Sequence, residues 1–315
     1  MNEKVDIVLS VYKPNIEFLE KQLESLNEQT YPNIEVIIHD DCVEERCDRA
    51  VFERKLTKIP YRILPYQDRN LGYTKAFERL VKNTTGAYIA FCDQDDIWLP
   101  EKIEKCVNEL KASGSLLVAT DRMIIDAQDE IICPSVRAVS HKQYDSWHTG
   151  EDICKYNMFI CYAVGMSIVI SGEIARKAMP FSEYTGHDKW VIACASAEGK
   201  VSFLEQPLVK YRRHGKNVSG TLKGIRSKQD YMEQRVLDHI GIISDFEKKY
   251  PDYKDLQEVK KFAYARKNHN IKDLWKYRYL SLDVAKFEIV LALTPDFLFQ
   301  SILYFVRLLN DRLIK

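Results

Sequence analysis

The chain has 315 residues, enough for one large domain with an appendage or for two domains. Its 46 basic and 46 acidic residues cancel to a formal charge of +0, which argues against a broad nucleic-acid-binding surface. Eight scattered cysteines include no CxxC pair, which argues for reduced core thiols rather than a disulfide framework or a zinc site.

Met1 to Lys4 lead straight into a β-rich run, Val5 to Ser10, without the apolar segment that a secretory signal needs, so a cytoplasmic protein is expected. Pro14-Asn15 then starts a helix whose apolar face is Phe18, Leu19, Leu23 and Leu26. Ile34 to Ile38 reads as a second buried strand, and it ends in His39-Asp40-Asp41. A helix from Arg46 to Leu56, a short strand Tyr61 to Leu64, the turn Asp68 to Gly72 and a helix Tyr73 to Lys82 follow. Tyr88 to Cys92 is the next apolar strand, and it runs into Asp93-Gln94-Asp95-Asp96-Ile97-Trp98. Such alternation predicts an α/β fold with a doubly wound, mainly parallel sheet and ligands at its carboxyl edge. Neither a GxGxxG loop nor a GxxxxGK[ST] loop is present, so neither a dinucleotide fold nor a P-loop is supported.

Pro100 to Ala112 is amphipathic, Leu116 to Thr120 reads as a fifth strand, and Gly165 to Ile170 restores strand character. Between them, residues 127–160 lack a clear period and carry Tyr144, Trp147, His148 and Tyr156; they are expected to pass over the cleft and set acceptor specificity. Gly186-His187-Asp188-Lys189-Trp190 opens a helix to about Glu198. A strand near Val201 to Leu204 and another from Leu208 lead to Tyr211-Arg212-Arg213-His214 and a polar loop containing Asn217.

After residue 222 the pattern is helical, so the division expected is 1–222 for the catalytic domain and 223–315 for a C-terminal helical region. The tail from Phe287 to Ile314 is more apolar, but no charge-free run reaches the ~18 to 20 residues of a spanning helix. Two readings stay open: the tail lies in a membrane interface with Arg307, Arg312 and Lys315 near headgroups, or it packs on the catalytic domain or in a homo-oligomer.

Three carboxylates after a buried strand suit a hard cation such as Mg²⁺ or Mn²⁺, whereas capping the helix near Pro100-Glu101 needs only one. Asp40-Asp41, Asp93 to Asp96, His187-Asp188 and Arg212 to His214 all fall at predicted strand ends or a helix start, which meet in one cleft of a doubly wound sheet.

At these residues the sequence resembles glycosyltransferase family 2 on the GT-A fold. The resemblance covers about residues 4–220 and rests on Leu9-Ser10-Val11-Tyr12 with Pro14, Asp40-Asp41, Asn70-Leu71-Gly72, the DxD form Asp93 to Trp98, His187-Asp188, and Tyr211 to His214 with Asn217. It departs where Asp41 is followed by Cys42-Val43-Glu44 instead of Gly-Ser. The DxD form and His-Asp-x-Trp look most like bacterial rhamnosyltransferases of that family.

The resemblance implies a nucleotide-sugar donor. Ser10, Tyr12 and Asp40 would face the base and ribose, with Asn70 nearby; Asp93 would meet ribose or metal, and Asp95 would bind Mn²⁺ or Mg²⁺. Asp96 would orient the loop or meet the sugar. His214 would be a further metal ligand, Arg212 and Arg213 would stand by the diphosphate, Asp188 would be the general base, and Trp98 and Trp190 would meet the acceptor. The implied reaction is inverting transfer of L-rhamnose from dTDP-rhamnose to a cell-envelope or capsular polysaccharide precursor, lipid-linked at the inner membrane face. UDP-hexoses or UDP-N-acetylhexosamines are the alternative donors. A sugar-nucleotide nucleotidyltransferase would also use metal-binding acids on an α/β core, but Val11-Tyr12-Lys13-Pro14-Asn15 is not its Gly-rich basic loop. A non-catalytic scaffold would be expected to lack Asp95 or Asp188, and both are present.

Overall fold

The computed structural model describes residues 2–140, 142–145, 147–214, 222 and 224–312. The strands are β1 (Val5–Val11), β2 (Ile34–Asp40), β3 (Tyr61–Ile63), β4 (Tyr88–Cys92), β5 (Ile97–Trp98), β6 (Leu117–Ile125), β7 (Ile131–Cys133), β8 (Ile168–Ser171) and β9 (Val201–Arg212). Around them lie α1 (Ile16–Asn27), α2 (Arg49–Lys55), α3 (Tyr73–Lys82), α4 (Lys102–Ser113), α5 (Val136–Val139), α6 (Cys154–Asn157), α7 (Gly172–Lys177) and α8 (His187–Glu198). Beyond β9 every element is helical: α9 (Lys228–Tyr231), α10 (Asp238–Lys249), α11 (Leu256–Lys267), α12 (Ile271–Lys276), α13 (Leu282–Leu293) and α14 (Phe299–Arg312). A π-helical turn, Met232–Leu237, joins α9 to α10.

One mixed sheet runs in the order β3-β2-β1-β4-β8-β6-β9-β5, with β7 beside β6. Strands β3, β2, β1 and β4 are parallel neighbours, as the strand and helix alternation requires. Strand β8 enters antiparallel to both β4 and β6, while β9 is parallel to β6. The two short strands predicted around Pro207 are one long β9, whose register against β6 shifts near Asp121; its far end pairs antiparallel with β5.

Side chains alternate between the two faces of the sheet, as strand geometry dictates. Val8, Ile37, Ile89 and Phe91 enter one buried cluster, and Ile7, Leu9, Val36, Ile38 and Ala90 enter the other. Helices α1, α2 and α4 cover the second face through Leu19, Leu23, Phe52, Ile103 and Val107. Helices α3, α6, α7 and α8 cover the first, together with Ile242, Phe246, Val259, Phe262, Leu274 and Ala285 from beyond β9. The C-terminal helices therefore close the same apolar core as the sheet.

Residues 127–160 differ from the expected cleft cover. Trp147, Ile153, Met158 and Phe159 are buried in the first cluster, because their aromatic and aliphatic bulk fills the space beside α8. In the tail, Phe299 and Leu303 pack on Ile225, Tyr231 and Leu291, whereas Leu293, Phe297, Tyr304 and Phe305 are exposed. Among the described residues no helix is long and apolar enough to cross a membrane.

Candidate functional site

The carboxyl ends of β1, β2 and β4 open into a cleft of about 1260 Å³, which the start of α8 and the end of β9 also border. At its β1 end, Tyr12 N–H donates to Gln94 Oε1 (2.8 Å) and Gln94 Nε2 returns a bond to Tyr12 O (3.1 Å), tying β1 to the DxD loop. Asn15 closes the start of α1 by accepting the amides of Glu17 and Phe18.

Asp41 accepts the Leu71 and Gly72 amides at 2.8 and 2.9 Å, and Asn70 Nδ2 donates to its carbonyl at 3.1 Å. Gly72 sits at φ +76°, a conformation that L side chains rarely adopt, so this turn needs glycine. Arg79 can only donate, so its contact with His39 Nδ1 (2.9 Å) makes that nitrogen the acceptor and leaves Nε2–H to donate to Asp41 (3.2 Å). Burial and the Arg79 charge both hold the His39 pKa below its usual value, consistent with a neutral ring.

Arg212 organises the acidic loop from behind. It is 0% exposed, and its amide donates to Asp96 Oδ1 (2.9 Å), Nε to Asp95 O (2.8 Å) and Nη1 to Asp126 O (3.0 Å). Asp129 pairs with the guanidinium, which lies 4.3 Å from the centre of the Phe18 ring. Two residues on, His214 Nε2 reaches Asp95 Oδ2 at 2.7 Å. The Asp93 carboxyl is pushed up to about 7, first by burial and then by the charges of Asp95 and Asp188. Asp96, fully buried, is also held well above the usual carboxylate range.

On the far wall, Asp188 lies in the first turn of α8 and its Oδ1 accepts the Lys189 amide (2.7 Å). A side chain at Gly186 would put its Cβ 2.7 Å from Asp188 Oδ1 and 3.5 Å from Tyr73 Cε2, so any larger residue there would displace the Asp188 carboxylate from its present position. Tyr73 is 52% exposed, whereas its hydroxyl is shifted upward by burial and by Asp188. His187 is buried against Phe77 (3.8 Å between ring centres) and Phe91 (5.0 Å), and burial pulls its pKa down to about 4. It is therefore a neutral imidazole at the cleft floor.

Ser10, Tyr12, Asn70, Asp93, Asp95, Asp188 and His214 thus line one cleft, as the sequence motifs led us to expect. The expectations for Trp98, Trp190, Asp40, Arg212 and Arg213 are corrected. Trp98 and Trp190, expected to meet the acceptor, are each 2% exposed in the core, Trp190 Nε1 donating to Ala178 O at 2.8 Å. Asp40, expected at the base, turns its carboxylate onto the amides of Cys42 (3.0 Å) and Cys47 (2.8 Å) and does not line the cleft. Arg212, expected beside a diphosphate, is buried behind the loop, where its amide bonds Asp96; of the two roles expected for Asp96, this bond is of the loop-orienting kind. Arg213 is exposed outside the cleft lining, and its amide donates to Ile125 O. Asn217 and Lys315 lie outside the described residues. Sequence reasoning did not single out Gln94 or Tyr73, which carry no signal beyond their neighbours in the motifs.

The donor set fits a hard divalent cation. Asp93 and Asp95 crowd negative charge that raises the proton affinity of Asp93, and the His214 imidazole meets Asp95 directly. Among the described residues no group of three or more His, Cys, Asp or Glu side chains is arranged to hold a metal ion by itself. Asp95 and His214 therefore offer an incomplete site, which oxygens of a bound ligand would complete.

Residues 6–168 match the family model described as glycosyl transferase family 2. An uncharacterized glycosyltransferase of Nostoc sp. is 26% identical over 247 residues, covering 77% of this chain and 75% of its own. The amylovoran biosynthesis glycosyltransferase AmsE of Erwinia amylovora is 33% identical over 115 residues, covering 36% of this chain and 42% of its own. The fold is also that of S. aureus TarS 1-349 solved with UDP-GlcNAc, at TM-score 0.56 and 14% identity over 88% of this chain and 81% of that one. In the longer TarS structure the match spans 49% of that chain. The mannosyltransferase PcManGT from Pyrobaculum calidifontis, in complex with GDP-Man and Mn²⁺, superposes at TM-score 0.54 and 14% identity over 91% of this chain and 75% of that one. Fold and cleft together define a glycosyltransferase of the GT-A class. The chain belongs to glycosyl transferase family 2.

Proposed function

We propose that the protein is an inverting, metal-dependent glycosyltransferase that moves a sugar from a nucleoside diphosphate donor to a hydroxyl of a cell-envelope polysaccharide precursor. The contact between Asp95 and His214, on the cleft that Asp188 borders from α8, carries this reading. Ser10, Tyr12 and Asn70 bind the nucleoside at the β1 end, with Asp41 fixing the turn that presents Asn70. Asp95 and His214, with Asp93 beside them, would hold Mn²⁺ or Mg²⁺, and a bound ion would supply positive charge where the diphosphate departs. Asp188 takes the proton from the acceptor hydroxyl as its oxygen attacks the anomeric carbon. The bond from that carbon to the diphosphate oxygen breaks on the opposite face, so the configuration inverts.

Support for the donor class comes from UDP-GlcNAc and GDP-Man in the structures with this fold, and for a divalent ion from Mn²⁺ in PcManGT. Amylovoran and teichuronic acid biosynthesis, named for two relatives, support a polysaccharide acceptor. dTDP-L-rhamnose is the donor favoured by the Asp-Gln-Asp-Asp-Ile-Trp form, and the UDP-GlcNAc complex of TarS favours a UDP-sugar as the second reading. Exposed Leu293, Phe297, Tyr304 and Phe305 give the protein an apolar surface for peripheral contact with the inner membrane face, where a lipid-linked acceptor would reside.

Incubation with dTDP-rhamnose, UDP-GlcNAc, UDP-glucose and UDP-galactose in Mn²⁺ tests the proposal. Release of nucleoside diphosphate from one donor, lost with chelator, is the expected result; turnover only when pyrophosphate is added, giving nucleoside triphosphate and sugar 1-phosphate, or no nucleotide-dependent thermal shift with any donor, overturns it.

A further inference from the structure

A buried polar cluster runs from Lys189, which borders the cleft next to Asp188, into the helices beyond β9. Lys189 is buried and held at three points: its amide bonds the Asp188 carboxylate, its carbonyl accepts from Asn157 Nδ2 (2.8 Å), and its Nζ meets His239 Nε2 on α10 (3.1 Å). His239 Nδ1 in turn meets Arg266 Nη1 on α11. Arg266 Nε donates to Glu288 Oε1 on α13 (2.7 Å), which also accepts the Tyr231 hydroxyl of α9 (2.8 Å). Arg266 Nη2 closes the chain on the Tyr231 oxygen (3.3 Å) and on Arg235 O (3.2 Å).

All five side chains are more than nine-tenths buried, so this arrangement is costly as mere packing. Apolar residues of similar volume in such a place often stabilise a protein more than a buried ion pair does, while an ionic network fixes geometry. Arg266 can only donate, so His239 Nδ1 is the acceptor and the ring proton lies on Nε2, facing Lys189 Nζ at 3.1 Å. Burial pulls Lys189 down to about 8, so the ammonium prevails at pH 7 and the neutral amine, the form that accepts this proton, gains weight as pH rises.

We propose that this buried chain, running from Tyr231 and Glu288 through Arg266 and His239 to Lys189, positions Asp188 for proton abstraction. The helices beyond β9 are thereby a working part of the catalytic site, and Lys189 is a positioning residue. The inference rests on Asp188 being the base. A carboxylate in the first turn of a helix has few fixed neighbours, and misplacement of about 1 Å can cost on the order of 10²-fold in rate. Here the backbone amide that orients the carboxylate belongs to the residue that the chain anchors.

The test uses the full-length enzyme and the four variants Asp188→Asn, Lys189→Met, Tyr231→Phe and the double variant Lys189→Met/Tyr231→Phe. Lys189→Met keeps the amide and length but removes the link, and Tyr231→Phe removes one hydroxyl without emptying the core. We expect kcat to fall roughly tenfold or more in Lys189→Met and severalfold in Tyr231→Phe, with donor KM and nucleotide affinity unchanged, and the double variant to lose less than the product of the two. A collapse in Asp188→Asn together with kcat within about twofold of wild type in folded Tyr231→Phe and Lys189→Met overturns this proposal alone. Losses that multiply, or that follow thermal stability and nucleotide affinity, also overturn it. Retained turnover in Asp188→Asn overturns the base assignment, and this proposal with it. Should Lys189→Met fail to fold, Tyr231→Phe decides the matter by its kcat.

Discussion

His214 Nε2 lies 2.7 Å from Asp95 Oδ2, a contact between residues 119 apart in the sequence that joins the end of β9 to the loop after β4. Neither side chain alone suffices as a cation site, and each is held by a rigid element: Asp95 through its carbonyl on Arg212 Nε, His214 through the strand that carries Arg212. Asp95→Ala and His214→Ala are each expected to abolish Mn²⁺-dependent nucleotide binding and to lower turnover by about 10²-fold or more. Calorimetric titration of nucleotide with and without Mn²⁺ checks this, and equal affinities in the variant and wild type would remove that residue from the site.

Asp188→Asn preserves shape but removes the proton acceptor. Donor affinity should stay within about twofold, while transfer falls by the ~10² to 10⁴ that a general base typically contributes. Single-turnover kinetics with saturating donor separate the two quantities.

Asp93 would make the proposed cation site sensitive to pH. Its carboxyl has a pKa of about 7 in the folded protein against 3.8 normally, because burial and the charges of Asp95 and Asp188 oppose ionisation. A folded-state pKa raised above the unfolded value means that the native state binds the proton more tightly, so metal-free stability is greatest below the unfolded value and declines as pH rises towards 7. Asp93→Asn should therefore raise the thermal midpoint of the metal-free protein by a few degrees above about pH 7, with the gain vanishing near pH 4. Calorimetry across that range is the measurement. Mn²⁺ affinity of the wild type should weaken below pH 7 as protons compete.

Arg212 is structural rather than ligand-contacting in this structure. Arg212→Ala keeps the backbone amide bond to Asp96 and leaves Lys21 on Asp129, but it removes the guanidinium from Asp129 and frees the Asp95 and Asp126 carbonyls, so a loss on the order of 1–3 kcal/mol is expected. Arg212→Lys should recover little, since a lysine cannot reproduce the guanidinium's directions to Asp95 O, Asp126 O and Asp129. Denaturant unfolding of both variants tests this.

Tyr73 lies half-exposed beside Gly186 and Asp188, the proposed base, and lines the same cleft. Tyr73→Ala should raise the KM for acceptor severalfold while donor affinity holds, because an aromatic face contributes about 0.5–1.5 kcal/mol beyond its area. Steady-state kinetics with each substrate varied in turn separates the two effects.

Much of this was legible in the residues. Apolar runs bounded by turn residues gave away β1, β2 and β4, and polar clusters at their ends pointed to one cleft because parallel strands must end on one side. The antiparallel entry of β8 was not readable, since a four-residue apolar strand carries no mark of direction. Burial was the other blind spot. Trp98, Trp190, Asp40 and Arg212 sit within the very motifs that mark the cleft, yet which side of the backbone each one takes is decided by packing from residues far along the chain. Asp40 and Asp41 show this most sharply: adjacent acids, one lining the cleft and one turned onto the amides of Cys42 and Cys47. The chain from Lys189 to Glu288 was equally invisible, because its members are spaced along four separate helices.

Strand β9 has a mechanical corollary. Because it pairs with β6 along most of its length and with β5 at its end, Asp95, Arg212 and His214 are set by strand register instead of by a pliant loop. One residue inserted between Pro207 and Arg212 would rotate the imidazole to the opposite side of the ribbon and break its contact with Asp95, while most of the apolar interior stayed intact. Length variation in this lineage should therefore collect ahead of Val201 or past His214, and any motion that admits the donor must come from the walls facing this ribbon.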